Sequence, residues 1–268
     1  MVAFAGNSLL CRLALRDTAI DAATFTFIRV ASGAIALAII VRARGNSAEG
    51  PSGNWRSAAA LFAYAAFFSY SYVTLSAGTG ALLLFGAVQA TMIGYGLWRG
   101  ERLGARQLAG LGLAVGGLVV LLLPGIAAPP VLGATLMILA GVAWGIYSLR
   151  GKGSGDPTRV TAGNFSRAVA FAALLSAAAF PWMKVDPAGA IYAVASGALA
   201  SGVGYAIWYT ALRGLRATSA ATVQLSVPAI AALGGIVFLG EPLTQRFILA
   251  AAAILGGIAL VVLSRRGV

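Results

Sequence analysis

Apolar runs of about 17 to 22 residues, broken by short polar stretches, recur along the whole chain. Each is the length a helix needs to cross roughly 30 Å of hydrocarbon at about 1.5 Å per residue. The runs lie at about 2–15, 22–41, 56–76, 79–98, 106–123, 131–149, 161–182, 188–210, 218–238 and 247–263. They predict ten spanning helices. The first is short by the same rule, and its deficit predicts that about ten residues of helix precede Met1 in the natural chain.

The pattern repeats. Trp98-Arg99-Gly100-Glu101-Arg102-Leu103 follows span four, and Phe238-Leu239-Gly240-Glu241-Pro242-Leu243 follows span nine, with the two Gly-Glu pairs 140 positions apart. At that offset Arg106 matches Arg246, Gly116-Gly117 match Gly256-Gly257, Phe4 matches Trp144 and Ser8 matches Ser148. This predicts two copies of one unit, residues 1–123 and 131–268. Five spans per unit, an odd number, force the copies to lie upside down relative to each other. The expected fold is therefore an all-α integral membrane protein of ten transmembrane helices in two inverted five-helix repeats, with a solute site where the copies meet.

Charge placement orients the helices, because basic loops stay in the cytoplasm. Loops after spans two, four, six and eight, with the tail, hold Arg42, Arg44, Arg56, Arg99, Arg102, Arg106, Arg150, Lys152, Arg159, Arg213, Arg216, Arg265 and Arg266. The opposite side holds Arg12 or Arg16, Lys184 and Arg246. Both termini are expected in the cytoplasm. Composition agrees with the class: 60% of residues are hydrophobic and 10% charged, against roughly 25% charged in a soluble domain. The net charge of +12 is strung between apolar runs and not gathered on one face, so no nucleic-acid partner is expected. One cysteine, Cys11, forms no internal disulfide, and the absence of histidine leaves no Cys/His metal cluster. The start lacks the basic n-region and small-residue cleavage site of a secretory signal.

Enzyme chemistry finds little footing. Lys152 follows Gly151, but Ile146 and Gly153 break the phosphate-cradling pattern on both sides. The seven acids include no helical pair that would hold a metal diphosphate. No cofactor is expected. Arg29 and Arg167 sit within spans two and seven as approximate repeat mates. Each either snorkels to the interface or serves in gating or carboxylate attraction. Glu101 and Glu241 stand at helix ends, where capping competes with a gating role. With no Asp or Glu at the centre of a span, an uncoupled carrier is favoured. Pro228 falls inside span nine, where it kinks the helix or frees a carbonyl. Gly112-x-x-x-Gly116, Ala252-x-x-x-Gly256 and Gly141-x-x-x-Gly145 predict close helix packing within the chain or a dimer face, so monomer and weak homodimer both stay open.

Polar and aromatic residues inside spans are the candidates for a solute site. Spans one and six offer Asn7, Ser8, Trp144, Tyr147 and Ser148 at matching heights. Spans three and eight offer Tyr64, Tyr70, Tyr72, Tyr205, Trp208 and Tyr209. Spans four and nine offer Gln89, Tyr95, Gln224 and Ser226. Aromatic faces with a few hydrogen-bonding groups suit a mixed apolar and polar organic solute. The competing explanation is an interfacial aromatic belt, which fits Trp55, Trp98 and Trp182 at span ends and not Trp144. The reading is a carrier for small amphipathic solutes in contact with membrane lipid. A flippase for a charged lipid carrier and a scaffold without cargo are the alternatives.

Several of these residues together resemble a known family. Ala5-Gly6-Asn7-Ser8, Phe27-Ile28-Arg29, Gly100-Glu101-x-Leu103 and Gly240-Glu241-Pro242-Leu243, set in two inverted fives, are similar to the drug/metabolite transporter superfamily, EamA type. Within it the chain looks most like the YddG-type amino-acid exporters, through the aromatic residues of spans one, three, six and eight. The resemblance implies export of amino acids, aromatic or neutral, and related metabolites across the bacterial inner membrane.

Overall fold

Several helix starts in this chain are set by short polar side chains that accept the first free amides. Asp21 accepts from Ala23 N and Thr24 N at 2.9 Å each, Asn54 from Ser57 N at 2.9 Å, and Asp186 from Gly189 N at 2.8 Å. Asp156 accepts from Thr158 N at 3.0 Å, and Pro157 and Pro187 then occupy the first helical positions, where no amide is needed. The computed structural model describes residues 1–45, 53–125, 128–151, 156–212 and 223–264. Among the described residues all regular structure is helical.

In chain order the elements are α1 (Val2–Asp17), α2 (Ala22–Ala43), α3 (Trp55–Tyr72), α4 (Ala77–Trp98), α5 (Ala105–Leu122), α6 (Val131–Arg150) and α7 (Pro157–Ala178). A 3-10 turn (Phe180–Trp182) leads to α8 (Pro187–Val194), which runs through a π-helical stretch (Ala195–Val203) into α9 (Gly204–Leu212). Two more follow, α10 (Ser226–Leu239) and α11 (Gln245–Ser264). Seven of these stretches are long and apolar enough to cross a membrane, with α8 and the following turns forming one of them. The chain is an integral membrane protein. α1 and α10 have 16 and 14 described residues, and α3 carries Arg56, three tyrosines and three serines that lower its hydropathy.

Pro228 stands three residues after a turn at Leu225 that parts helical Val223 and Gln224 from α10. It lies in the first turn of α10, where helix amides lack intrahelical partners anyway. The π-helical stretch gave no signal in the sequence.

α5 packs on α11, α2 on α7 and α4 on α10; α6 packs on α3 and α4, α1 on the π-helical stretch and α10, and the π-helical stretch on α2. Glycine permits the closest approaches. A Cβ on Gly197 would strike the Arg29 carbonyl, and one on Gly33 would lie 2.7 Å from the Phe165 ring. Gly197→Ala is therefore expected to cost at least ~1 kcal/mol despite the gain in helix propensity, read as a lower unfolding midpoint in detergent; an unchanged midpoint would show that α2 tolerates the added methyl. Gly141 and Gly145 press on Ala87 and Thr91 of α4, and Gly110, Gly117 and Gly257 seat α5 against α11. Gly112, Gly116 and Gly256 have no neighbour within 4 Å of a built Cβ, so those two small-residue motifs do not make the expected contact within the chain.

Polar contacts separate the two ends of the bundle. At one end Arg44 donates to Thr158 and Thr210, and Arg150 to Ser57 and Asn54. At the other, Arg12 and Arg16 tie α1 to the ends of α3 and α10, Arg246 donates to the Val120 and Leu123 carbonyls, and Lys184 N donates to Asp21 at 2.8 Å. Partial burial raises the Asp21 pKa, but hydrogen bonds from Thr24, Lys184 and Ala23 outweigh that and hold the carboxyl below its usual range. Its contribution is present above the ordinary carboxylate range and fades as pH falls through the lowered value. Asp21→Ala is expected to remove ~1 kcal/mol of stability at neutral pH. Thermal unfolding of wild type and variant would check this, and the gap should narrow in acid.

Candidate functional site

Five helices and the residues before α10 enclose a cavity. α1 contributes Phe4 and Asn7, α3 contributes Tyr64 and Phe68, and α4 contributes Leu84 and Phe85. Trp144 of α6, Tyr205 and Trp208 of α9, and Gln224 complete the wall. The cavity is narrow, with ≈ 40 Å³ open to the centre of a water-sized sphere inside ≈ 430 Å³ of space between wall atoms that counts the part open to solvent.

Aromatic rings form one side. Trp144 stacks on Tyr205 with centroids 5.3 Å apart and planes 17° apart, and its ring lies 4.9 Å from Tyr64 and 5.3 Å from Tyr147. Phe4 reaches Tyr205 at 5.5 Å and meets Trp208 edge-on at 6.1 Å. Trp144 itself is half-buried, so part of its surface is left for a solute.

The polar end is a short hydrogen-bond chain. Ser196, from the π-helical stretch, donates to Asn7 Oδ1, and Asn7 Nδ2 donates to Tyr64 Oη at 3.4 Å. Arg29 Nη2 donates to the same Tyr64 oxygen at 3.0 Å. The Arg29 guanidinium carbon lies 5.2 Å from the Tyr64 centroid and 4.6 Å from that of Phe68. Arg29 is 2% exposed and does not snorkel. Its approximate mate Arg167 is half-buried, donates to the Gly163 carbonyl at 2.9 Å and faces the Trp55 ring. The two arginines thus occupy different surroundings.

Of the residues singled out by sequence, Asn7, Tyr64, Trp144, Tyr205, Trp208 and Gln224 border this cavity. Others lie elsewhere. Ser8 and Gln89 are buried away from the wall. Tyr147 holds Thr161 and Asn164 at 3.4 Å each, and Tyr72 donates to the Ala77 carbonyl at 3.2 Å. Ser148 is half-buried beside Tyr147 in α6. Ser226 donates to the Val223 carbonyl at 2.7 Å. Tyr70 is exposed, as is Tyr95, which packs on Trp98 at 5.9 Å. The Tyr209 side chain lies outside the described residues. Glu101 is exposed just after α4.

Glu241 belongs to a separate cluster at the Arg12 end of the bundle. Its carboxylate accepts Ala77 N at 2.9 and 3.1 Å and pairs with Arg12 Nε at 3.4 Å. It also borders a wider recess of ≈ 830 Å³, partly open solvent, formed by the α3–α4, α5–α6 and α10–α11 connections. That recess has loop backbone and Phe247 for walls, with none of the stacked aromatic rings.

Sequence reasoning passed over Phe68, Leu84 and Phe85, which look like any apolar core residue, and Ser196, which the π-helical turn aims at Asn7. Phe4 drew notice only as the repeat counterpart of Trp144.

Comparison with known proteins adds independent findings. The sequence model of the EamA-like transporter family matches residues 1–123 and 131–263. An uncharacterised protein of Pseudomonas aeruginosa is 61% identical over 267 residues, covering 100% of this chain and 93% of that one. The threonine/homoserine exporter RhtA of Escherichia coli K12 is 35% identical over 129 residues, 46% of this chain and 42% of RhtA. RhtA of Salmonella typhimurium is 36% identical over 130 residues, with the same coverage. One solved crystal structure superposes with a TM-score of 0.68 at 21% identity, over 99% of this chain and 98% of the other, a likeness of fold alone.

Proposed function

The chain belongs to the EamA-like transporter family, and on that premise we propose that it exports amino acids, aromatic or neutral, and related small metabolites across the bacterial inner membrane. The carrier has ten spans in two five-helix units, 1–123 and 131–268, inserted in opposite senses with both termini cytoplasmic. It works by exposing one cavity alternately to each side. Asn7, Tyr64, Trp144, Tyr205, Trp208 and Gln224 hold the solute.

The observation that carries this reading is the cavity itself. Its wall draws Phe4, Asn7, Tyr64, Phe68, Leu84 and Phe85 from the first unit and the rest from the second. A seam between units is where an alternating-access carrier holds its solute. Helix packing supports the duplicated plan. When each helix is exchanged for its counterpart, counting α8, the π-helical stretch and α9 as one span, α3–α6 becomes α8–α1, α4–α6 becomes α10–α1 and α2–π becomes α7–α3, all of them real neighbours. The larger number of Arg and Lys residues that the sequence places in the loops at the Arg44 and Arg150 end supports the orientation. The likeness to RhtA, a threonine/homoserine exporter, supports an amino-acid cargo.

Counterflow in proteoliposomes is the direct test. Labelled phenylalanine, tryptophan, threonine or homoserine should accumulate in vesicles preloaded with the same unlabelled solute, equally with and without a pH gradient. No accumulation of any amino acid, with transbilayer movement of a fluorescent anionic lipid instead, would replace this reading with a flippase.

A further inference from the structure

We infer that the cavity selects its solute by an anionic oxygen group and makes little use of an ammonium, so that carboxylates without an amino group occupy it as well as amino acids do. The inference deepens the exporter reading and rests on it for the cavity's part in transport.

Hydrogen counting leads there. The Tyr64 oxygen accepts from Arg29 and from Asn7, which uses both lone pairs and leaves the hydroxyl with only a proton to offer. That proton finds no acceptor among the described residues. Asn7 Oδ1 spends one of its two lone pairs on Ser196, and the Asn7 amide offers its second hydrogen. Arg29 Nη1 is buried and without a hydrogen-bond partner among the described residues. Among the described residues the one charged group at this polar end is a donor, and Tyr64 and Asn7 each bring a hydrogen not yet donated.

Counter-charge is missing as well. No carboxylate borders the cavity among the described residues. Asp17, Asp21, Asp156 and Asp186 stand at helix ends, Glu101 and Glu241 just beyond α4 and α10, and Glu49 lies outside the described residues. A guanidinium buried without an anion is costly in such surroundings. The ring faces of Tyr64 and Phe68 offset part of that cost, and an anionic solute offsets more. An ammonium finds no carboxylate there among the described residues, only aromatic faces and the neutral oxygens of Asn7 and Gln224. Tyr64 and Phe68 both border the cavity and both flank Arg29, so the arginine acts from behind them. It is a positioning residue that strengthens Tyr64 as a donor and makes this end of the cavity positive.

The test uses the full chain in detergent and three probes: L-phenylalanine, 3-phenylpropionate and 2-phenylethylamine, titrated by calorimetry and then used as competitors in phenylalanine counterflow. The acid should bind within about threefold of phenylalanine and the amine at least about tenfold more weakly, the size of one charge-assisted hydrogen bond. Tyr64→Phe and Arg29→Met should each bring the acid-to-amine ratio toward one, while Arg29→Lys keeps most of it. A merely structural arginine would weaken all three probes together and leave the ratio unchanged, which overturns the inference. An amine that binds as tightly as the acid overturns it too, as does phenylalanine transport without 3-phenylpropionate binding. Acid binding with amine discrimination, but without counterflow of any amino acid, upholds the inference and removes the exporter reading alone.

Discussion

Trp144→Ala lowers amino-acid counterflow about fiftyfold while the protein still purifies as a stable, monodisperse species. The ring sits against Tyr64, Tyr147 and Tyr205 at centroid distances of 4.9 to 5.3 Å. Among the described residues it is the one wall residue packed against rings from α3, α6 and α9 together. Each aromatic pair contributes about 0.5–1.5 kcal/mol beyond its buried area, and a bound solute adds the face that Trp144 now leaves free. Loss of ~2.3 kcal/mol of solute binding corresponds to about fiftyfold. Trp144→Phe keeps a ring in place and should stay within about fivefold of wild type on the same scale. The stability cost of the alanine variant is expected to be smaller than for a fully buried tryptophan, because the side chain is only half-buried. Counterflow by Trp144→Ala within threefold of wild type would take the residue out of the cavity's working wall.

Trp144 also marks how far the sequence carries. A tryptophan in mid-span, matched to Phe4 at the repeat offset, stands out against alanine and leucine because it brings a polarisable face where lipid or core packing asks for neither. Asn7, Tyr64, Tyr205 and Gln224 stand out for the same reason, as polar groups that need partners in an apolar span. What one sequence lacks is the direction of each side chain. Tyr147 lies three residues after Trp144 and turns instead to Thr161 and Asn164, and Tyr70 and Tyr72 flank opposite sides of α3 with one exposed and one fully buried. Phe68 and Phe85 carry no polar atom to betray them. Ser196 is aimed by a π-helical stretch, which shifts the register of every residue after it, and no local propensity announces such a turn. Arg29 misled in a different way. Its position about two turns into α2 suits snorkelling, yet two aromatic faces on α3 hold the guanidinium inside, and contact between neighbouring helices is invisible in one helix's pattern.

Glu241→Ala is expected to lower stability by ~3 kcal/mol, because the carboxylate serves two partners that cannot easily find another. It accepts Ala77 N, the first amide of α4, at 2.9 Å, where a helix start favours negative charge. It also faces Arg12, whose Nη1 spans the Tyr72 and Val73 carbonyls at 3.0 Å each. The paired side chains are only 14% and 8% exposed, so water replaces the lost oxygen poorly. The single carboxylate thereby fastens α1, α3 and α4 to the end of α10. A 3 kcal/mol loss corresponds to a fall of about 6–12 °C in the unfolding midpoint for a chain of this size class. Glu241→Gln keeps an acceptor for Ala77 but no charge for Arg12, and should fall about halfway. Arg12→Met combined with Glu241→Met removes both charges together and should recover much of the loss, since a buried pair costs most when only one member is removed. Purified variants followed by thermal unfolding in one detergent would decide the matter. A Glu241→Ala midpoint within 2 °C of wild type would show that these contacts decorate an end already held by apolar packing, whereas the expected drop, reversed in the double variant, would make the carboxylate the fastening of this end of the bundle.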